Sequence, residues 1–582
     1  MRGSISSLAF LLMIGGVQPG HAAASVGAGA TLTVNDADGL GRVGDKRLSL
    51  AEAIRLANGS LTLTQLSKAE RRQVRGSPGP AAADLIRFSV RGDAVRLPVQ
   101  ILAKPDQPFA PLIVNSLMPI LRDNDGDTIG GRGVRLTNGA DDMRDTVNAA
   151  PLFKGAPIGG LGLIVESANV TIKDVAFERF ATPLSFRPAA GKTVLSGMRV
   201  TGNKFHNGGG ITFSAVTAAG ERGTLRDLVI SDNDFRGPRQ FGEEFPSMLH
   251  SAMSIVGVDN GVKDTSASAP DGVIEDVTIA RNSVKDFAGG VHVMPLQTVF
   301  APNRGARLSR LTVAGNDIAL LDEATDPAIY LWGAVAVNGH ASDVSVSDVL
   351  VEGNKVVGNG FIVFIAGVEA LMGGEQPPRN IHMKGVRVQG NQISPRKSCS
   401  VGIATIGGFP EMNGPPVTEI SVSDVEVSGN TVAGCATGLL ASPVVNVGAP
   451  GKSTGNMVRG IRYDGNTITG AKTGILVAGG ALIAAGEVNG SADIVRNHVH
   501  DVQVMRNSID ADQAGILIAG GYVASKVKGH VTDNEVQITR IADNKGTGTT
   551  PLCRVADQFT DGAAQAEVHG NHVIAQGTSC GR

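Results

Sequence analysis

The sequence predicts an all-β solenoid, a stack of strand-bearing coils with a helical cap at its N-terminal end. Three observations carry this. First, eleven asparagines recur at one phase of a repeated pattern: Asn203, Asn233, Asn282, Asn316, Asn354, Asn391, Asn430, Asn466, Asn497, Asn534 and Asn571. Each has Val, Ile or (once) Tyr463 three residues before it and Phe, Val or Ile two residues after it. The mean period, (571 − 203)/10 or about 37 residues, lies in the range of repeat architectures. Second, apolar residues alternate within each unit, as in Val344, Val346, Val349, Val351 and Val356, and most are β-branched, which reads as strand. Third, a helix signature at residues 48–58 precedes the repeat.

Short strands joined by tight bends cannot bury an apolar face alone, whereas stacking successive units buries a continuous core. A Gly-Asn or Asp-Asn pair at the bend suits a backbone that turns left-handed and bonds to itself. Isolated hairpins in a sandwich have no reason to repeat at one phase. A propeller needs four strands per blade and a Trp-Asp type signature, and the chain has one Trp. The 77 glycines and 4% aromatic content suit tight stacked turns. Near Asn497 two registers compete, because the segment from Val502 through Asn507 to Ile509 fits the pattern equally well.

With the asparagine phase and strands such as Gly474-Ile475-Leu476-Val477 and Gly515-Ile516-Leu517-Ile518, the chain resembles the right-handed parallel β-helix repeat proteins of the pectate-lyase-like superfamily over residues 84 to 573. The resemblance implies an asparagine ladder, and a long loop in most turns, since such coils are usually shorter than this period. Eleven coils at the inter-strand spacing of about 4.8 Å would make a rod of roughly 50 Å.

Residues 1–24 read as a secretory signal: Arg2, an apolar run from Leu8 to Ile14, and small residues around Ala22-Ala23-Ala24. That run is too short to span a bilayer, and no later stretch is long and apolar enough, so the expectation is a secreted or periplasmic protein without a transmembrane span. Residues 25–83 form the cap. Leu50, Ala53, Ile54 and Ala57 share one helical face, Ser49 and Glu52 make a capping box, and Asn58-Gly59 closes the helix. This stretch resembles the Cys-Ser-Leu-Arg-Glu-Ala type segment ahead of some bacterial β-helices, with Leu48 for the Cys and Ala51 for the Arg. A second, charged helix is expected from Ser67 to Arg75. The solenoid then occupies residues 84–582, with asparagine-bearing coils at 200–573.

The charge balance, 52 Lys+Arg against 54 Asp+Glu, shows no basic stripe, which argues against a nucleic-acid partner. The turn Asp123-Asn124-Asp125-Gly126-Asp127 alternates carboxylates as a Ca²⁺ loop does, but its glycine is misplaced and no Glu closes it. It reads as a solvated turn, and no cofactor is expected. Cys399 and Cys435 lie 36 residues apart, one period, each three residues before a strand glycine. They should face one another on adjacent coils within disulfide reach. Cys553 and Cys580 would then form a second bridge. No Cys-x-x-Cys pattern supports a zinc site.

Candidate chemistry is sought at the longest insertions. The interval Asn233 to Asn282 holds Arg236, Arg239, Glu243, Glu244 and His250; that from Asn316 to Gly333 carries Asp322, Glu323, Asp326, Tyr330 and Trp332. Between them, Val291 and Val293 should face the core and His292 the groove. Glu244, Asp286 and His292 are the candidate acid–base residues. Arg236, Arg239 and His250 would bind a polysaccharide, with Tyr330 and Trp332 stacking on a sugar face. The best-known motifs of the resembled superfamily are missing: no Asn-Thr-Asp, Asp-Asp, Gly-His-Gly set, no Asp-Pro-His-Asp, and only the start of Arg-x-Pro-x-x-Arg at Arg236. The expectation is an exported enzyme cleaving an extracellular, anionic or neutral polysaccharide by lyase or hydrolase chemistry. The competing reading is a non-catalytic adhesin-like rod or periplasmic glycan scaffold.

Overall fold

The computed structural model describes residues 27–98, 118–122, 126–138, 161–216, 221–237, 251–258, 272–298, 303–324, 326–336, 340–371, 376–411, 414–483, 491–524, 528–546, 551–560 and 566–575. The proposed signal at 1–24, Asp123 to Asp125, Arg239, Glu243, Glu244, His250 and Cys580 lie outside the described residues.

The chain is a parallel β-helix. Among the described residues its strands form three sheets of 17, 22 and 4 strands. Successive coils pair in parallel, so equivalent residues form files through the stack. One file runs Phe177, Phe205, Phe235, Val284, Ile318, Val356, Ile393, Val432, Ile468 and Ile509. From Phe205 onward each lies two residues after an asparagine, Ile509 after Asn507. The first three rings stack at 5.3 and 4.7 Å, and the whole file is buried.

The asparagines themselves stack. Asn354 is representative: its Nδ2 donates to Val313 O of the preceding coil and to Asn391 Oδ1 of the next, each at 2.9 Å. Its Oδ1 accepts from Asn316 N and Nδ2, also at 2.9 Å. The competing registers near Asn497 resolve into two ladders. The first continues from Asn466 to Asn507 and Asn544. The second begins at Asn456 and contains Asn497, Asn534 and Asn571. Asn497 is therefore not the successor of Asn466: a second corner forms where the coils gain the small third sheet. The residue before each ladder asparagine has a left-handed backbone, supplied by Gly353 (φ 59°) in one coil and Asp232 (φ 59°) in another.

The cap helix spans Leu50–Ala57, with Ser49 and Glu52 making both bonds of the capping box and Asn58 at its C-terminal end. Leu50, Ala53, Ile54 and Ala57 are buried in the main core, and the helix packs against strands Gly27–Val34 and Ala82–Phe88. The expected second helix is a single turn, Lys68–Arg71. Val74 and Arg75 instead pair antiparallel with Leu32 and Thr31, where β-branched Val74 finds a strand partner that a helix would deny it.

Cys399 and Cys435 form a disulfide with Cα atoms 4.5 Å apart, linking adjacent coils. The bridge closes a loop of 36 residues. Replacing both cysteines by Ser is expected to cost about 2–4 kcal/mol, read as a lowered urea midpoint with little change in slope.

Candidate functional site

One outer face of the solenoid carries a second apolar cluster, separate from the main core. Strands Ser251–Val258, Gly289–Thr298, Ile329–Ala336, Lys355–Ala370 and Gln392–Pro410 build its first part, and later strands continue it as far as Phe559. Ser254, His292, Tyr330, Phe364 and Ala404 form one file across them. Along Ile329–Ala336, Leu331 and Ala334 both enter the main core although they are three apart, while Trp332 and Val335 enter the outer cluster. The in–out alternation slips at Gly333, so the strand bends there. A Cβ at Gly333 would sit 2.4 Å from Gly367 O in the next coil, so the bend admits no side chain. In a straight strand, Tyr330 and the register position of Glu369, paired with Val335, would be about 16 Å apart. The bend brings them together: the Tyr330 hydroxyl donates to both Glu369 carboxyl oxygens at 2.9 Å.

Three carboxyl groups meet at this bend. Glu369 is only 4% exposed. Glu411 follows the end of strand Gln392–Pro410, its backbone N–H donating to Ala370 O at 2.8 Å. The Glu369 and Glu411 carboxyls hydrogen-bond to one another, which requires a shared proton. Burial drives the Glu369 carboxyl well above the usual carboxylate range, and the Glu411 charge adds to this. Glu411 is also raised by burial, while its bond to Glu369 opposes the rise. Asp326, in the insertion before Tyr330, is pushed up to about 7 by burial and by the Glu411 charge. Asp326 and Glu411 keep partial contact with solvent. Burial and the neighbouring carboxylates also push the Tyr330 hydroxyl well above its ordinary value, so it stays neutral and acts as a donor.

Aromatic rings pack beside this trio, most of them buried. His292 packs against Tyr330 with ring centroids 4.8 Å apart and shares a hydrogen bond between Nδ1 and Ser251 Oγ at 2.8 Å. Trp332 meets Tyr330 at 4.3 Å and Phe364 at 4.8 Å, and Phe361, Phe364 and Phe409 complete the cluster.

Several expected positions lie elsewhere or differ in exposure. Val291 and Val293 face the core and His292 the opposite side, but His292 is fully buried rather than open to a groove. Trp332 is likewise 0% exposed, so its ring offers no platform to a sugar. His292 packs on the Tyr330 ring and is bonded to Ser251, and Trp332 is held between Tyr330 and Phe364. Asp286 occupies a left-handed bend (φ 60°) after strand Ser283–Lys285, with its N–H on Ala319 O. Arg236 ends strand Asp234–Arg236, in file with Lys285, and pairs with Asp234 at 3.1 Å. Neither stands on the face of the Tyr330 file. Asp322 pairs with Arg396 at 2.6 Å and anchors the insertion that carries Asp326. Glu369 and Glu411 were not among the expected residues. Glu369 is a lone acid within the apolar run from Phe361 to Leu371, a signal that was available, because a charge is not placed in such a run without a partner.

The raised Asp326 carboxyl makes a stability prediction. In the unfolded chain the group ionises near its ordinary 3.8; in the folded chain, near 7. Between these values the folded state holds a proton that the unfolded state has lost, so stability falls as pH rises from about 4 to about 7. The gap corresponds to roughly 4 kcal/mol at most. Thermal midpoints measured across this window should fall for the wild type and fall less for Asp326→Asn.

No protein-family model matches the chain, and no curated protein matches its sequence. Solved structures similar to it include three at 10% identity each. The periplasmic alginate epimerase AlgG aligns over 78% of this chain and 84% of its own, with a TM-score of 0.21. The A-module of the Azotobacter vinelandii mannuronan C-5 epimerase AlgE6 aligns over 91% and 99%, at 0.27. The PL6 family alginate lyase AlyGC aligns over 84% and 97%, at 0.17. At TM-scores this low the likeness carries no argument about this chain's chemistry.

Proposed function

We propose that the chain is an exported glycoside hydrolase that cleaves a polysaccharide lying across the outer face at Asp326, Tyr330 and Glu411. The observation that carries this reading is a carboxyl poised near neutrality, Asp326, beside a carboxyl pair that shares one proton. Two carboxyls in opposite protonation states are what glycosidic hydrolysis requires. Asp326 gives its proton to the departing glycosidic oxygen as the C–O bond breaks. Glu411 takes a proton from the water whose oxygen bonds to the anomeric carbon. Solvent then resets both groups. Glu369, held by the Tyr330 hydroxyl, positions Glu411 and keeps it ionised.

Elimination fits less well. It needs a base to remove a proton beside a uronate carboxylate, and a Tyr330 with a raised pKa is a poor base. The uronate would also face a cluster whose charges are carboxylates. A neutral glycan therefore suits the site better than an anionic one. The disulfide between Cys399 and Cys435 supports export, since such bridges persist in oxidising compartments.

Incubating the full chain with a panel of neutral and anionic polysaccharides tests the proposal. The expected result is release of reducing ends without ultraviolet-absorbing unsaturated sugars, on neutral substrates first. Unsaturated products would overturn the hydrolase reading. No release from any of them by a folded chain would favour the adhesin-like rod.

A further inference from the structure

We propose that His530, Glu567 and His569 form a binding site for a divalent d-block cation of the zinc class, on the small third sheet near the C-terminal end of the stack. Strand His530–Thr532 pairs in parallel with Glu567–His569, placing His530 opposite Glu567 and Thr532 opposite His569. Glu567 and His569 are two apart on one strand and therefore share a face. One ligating atom from each of the three residues lies within 4.8 Å of the other two. His530 Nδ1 and Glu567 Oε2 are 3.3 Å apart. An ion bound at about 2.0–2.2 Å in tetrahedral geometry holds its ligand atoms roughly 3.3–3.6 Å apart, so this pair already spans one edge of the coordination sphere. On binding, His569 would turn inward to complete a face of the coordination sphere.

The scaffold restrains the set. The His530 N–H donates to Asp493 Oδ1 at 3.1 Å in the coil before, and the His569 carbonyl accepts from Asp533 N at 3.3 Å. Two imidazoles with one carboxylate select Zn²⁺, Co²⁺, Ni²⁺ or Cu²⁺ over Ca²⁺ and Mg²⁺, which take oxygen ligands. Water would fill the remaining positions of the bound ion at this exposed site. The ion would tie two successive coils together where the stack approaches its end, on residues unconnected with the Asp326 cluster.

The test is calorimetric titration of the chelator-treated full chain with ZnCl₂ and, separately, CaCl₂. The expected result is one Zn²⁺ per chain, no comparable Ca²⁺ uptake, and a thermal midpoint raised by Zn²⁺. His530→Gln and His569→Gln should each weaken Zn²⁺ binding at least about tenfold and remove the thermal shift. His500→Gln, at the separate stacked pair His498–His500, should leave both unchanged. Zn²⁺ binding that survives both ligand substitutions, or moves with His500, overturns the proposal, as does the absence of Zn²⁺ uptake by the wild type.

Discussion

Replacing Asp326 by Asn is expected to lower glycan hydrolysis by about two to four orders of magnitude while the chain stays folded. Asn keeps the volume and removes the proton that the leaving oxygen needs. Glu411→Gln should cost a similar factor by removing the acceptor for the water's proton. The pH dependence separates the two roles. The acid must be protonated, so the wild-type rate should decline as pH rises through about 7, the value to which burial pushes Asp326. The base must be ionised, and burial raises Glu411 too, so the acidic limb should lie above the ordinary carboxylate range. Initial rates across pH would show a narrow bell. A rate that keeps climbing above pH 8 would exclude Asp326 as the acid. Glu369→Gln tests positioning: its buried carboxyl touches Tyr330 and Glu411 rather than solvent, so the expected change is a displaced acidic limb more than a lost rate.

The second large effect concerns the asparagine ladder. Asn354→Ala removes two acceptor and two donor contacts from the buried interior. Asn316 N–H and Nδ2–H are left without their acceptor, and Val313 O without its donor. At about 1–3 kcal/mol for each buried group so orphaned, the expected destabilisation is roughly 3–6 kcal/mol. Asn354→Asp should be comparably harmful, because a carboxylate cannot donate to Val313 O or Asn391 Oδ1. The same change at Asn544, the last described rung of that ladder, is expected to cost less, since its surroundings are only part-buried and water can replace the lost bonds. Urea denaturation of the three variants measures the gradient. Equal losses at Asn354 and Asn544 would show that the amides do not act as a buried stack.

The solenoid was legible because its determinants are local and repeated. A left-handed bend demands Gly, Asp or Asn nearby, the next corner demands a buried amide, and the strand between demands alternation. Each requirement is written into every period, so the phase, the files as far as Asn466 and the Cys399–Cys435 bridge follow from letters alone; past Asn466 two registers satisfy the same letters, and only the folded stack separates them into two ladders. The capping box at Ser49 and Glu52 is local in the same way. The short second helix departs from expectation because Val74 is claimed by a strand that is far away in sequence, Gly27–Val34.

The candidate site was half legible. Tyr330 and the insertion carrying Asp326 stood out as an interruption of the period, and His292 by its outward place between Val291 and Val293. Glu369 and Glu411 did not, and the difference is geometric. Periodicity assigns a residue to a coil and to the inner or outer side; it does not say where a strand bends. The bend at Gly333 and Gly367 converts positions some 16 Å apart along a straight strand into hydrogen-bonded neighbours. The same closeness buries His292 and Trp332, which letters alone assign to an open groove. Repetition therefore writes the stack into the chain itself. The meeting of three carboxyls and a tyrosine belongs to the folded corner, because desolvation and shared protons arise only when side chains from different coils exclude water together.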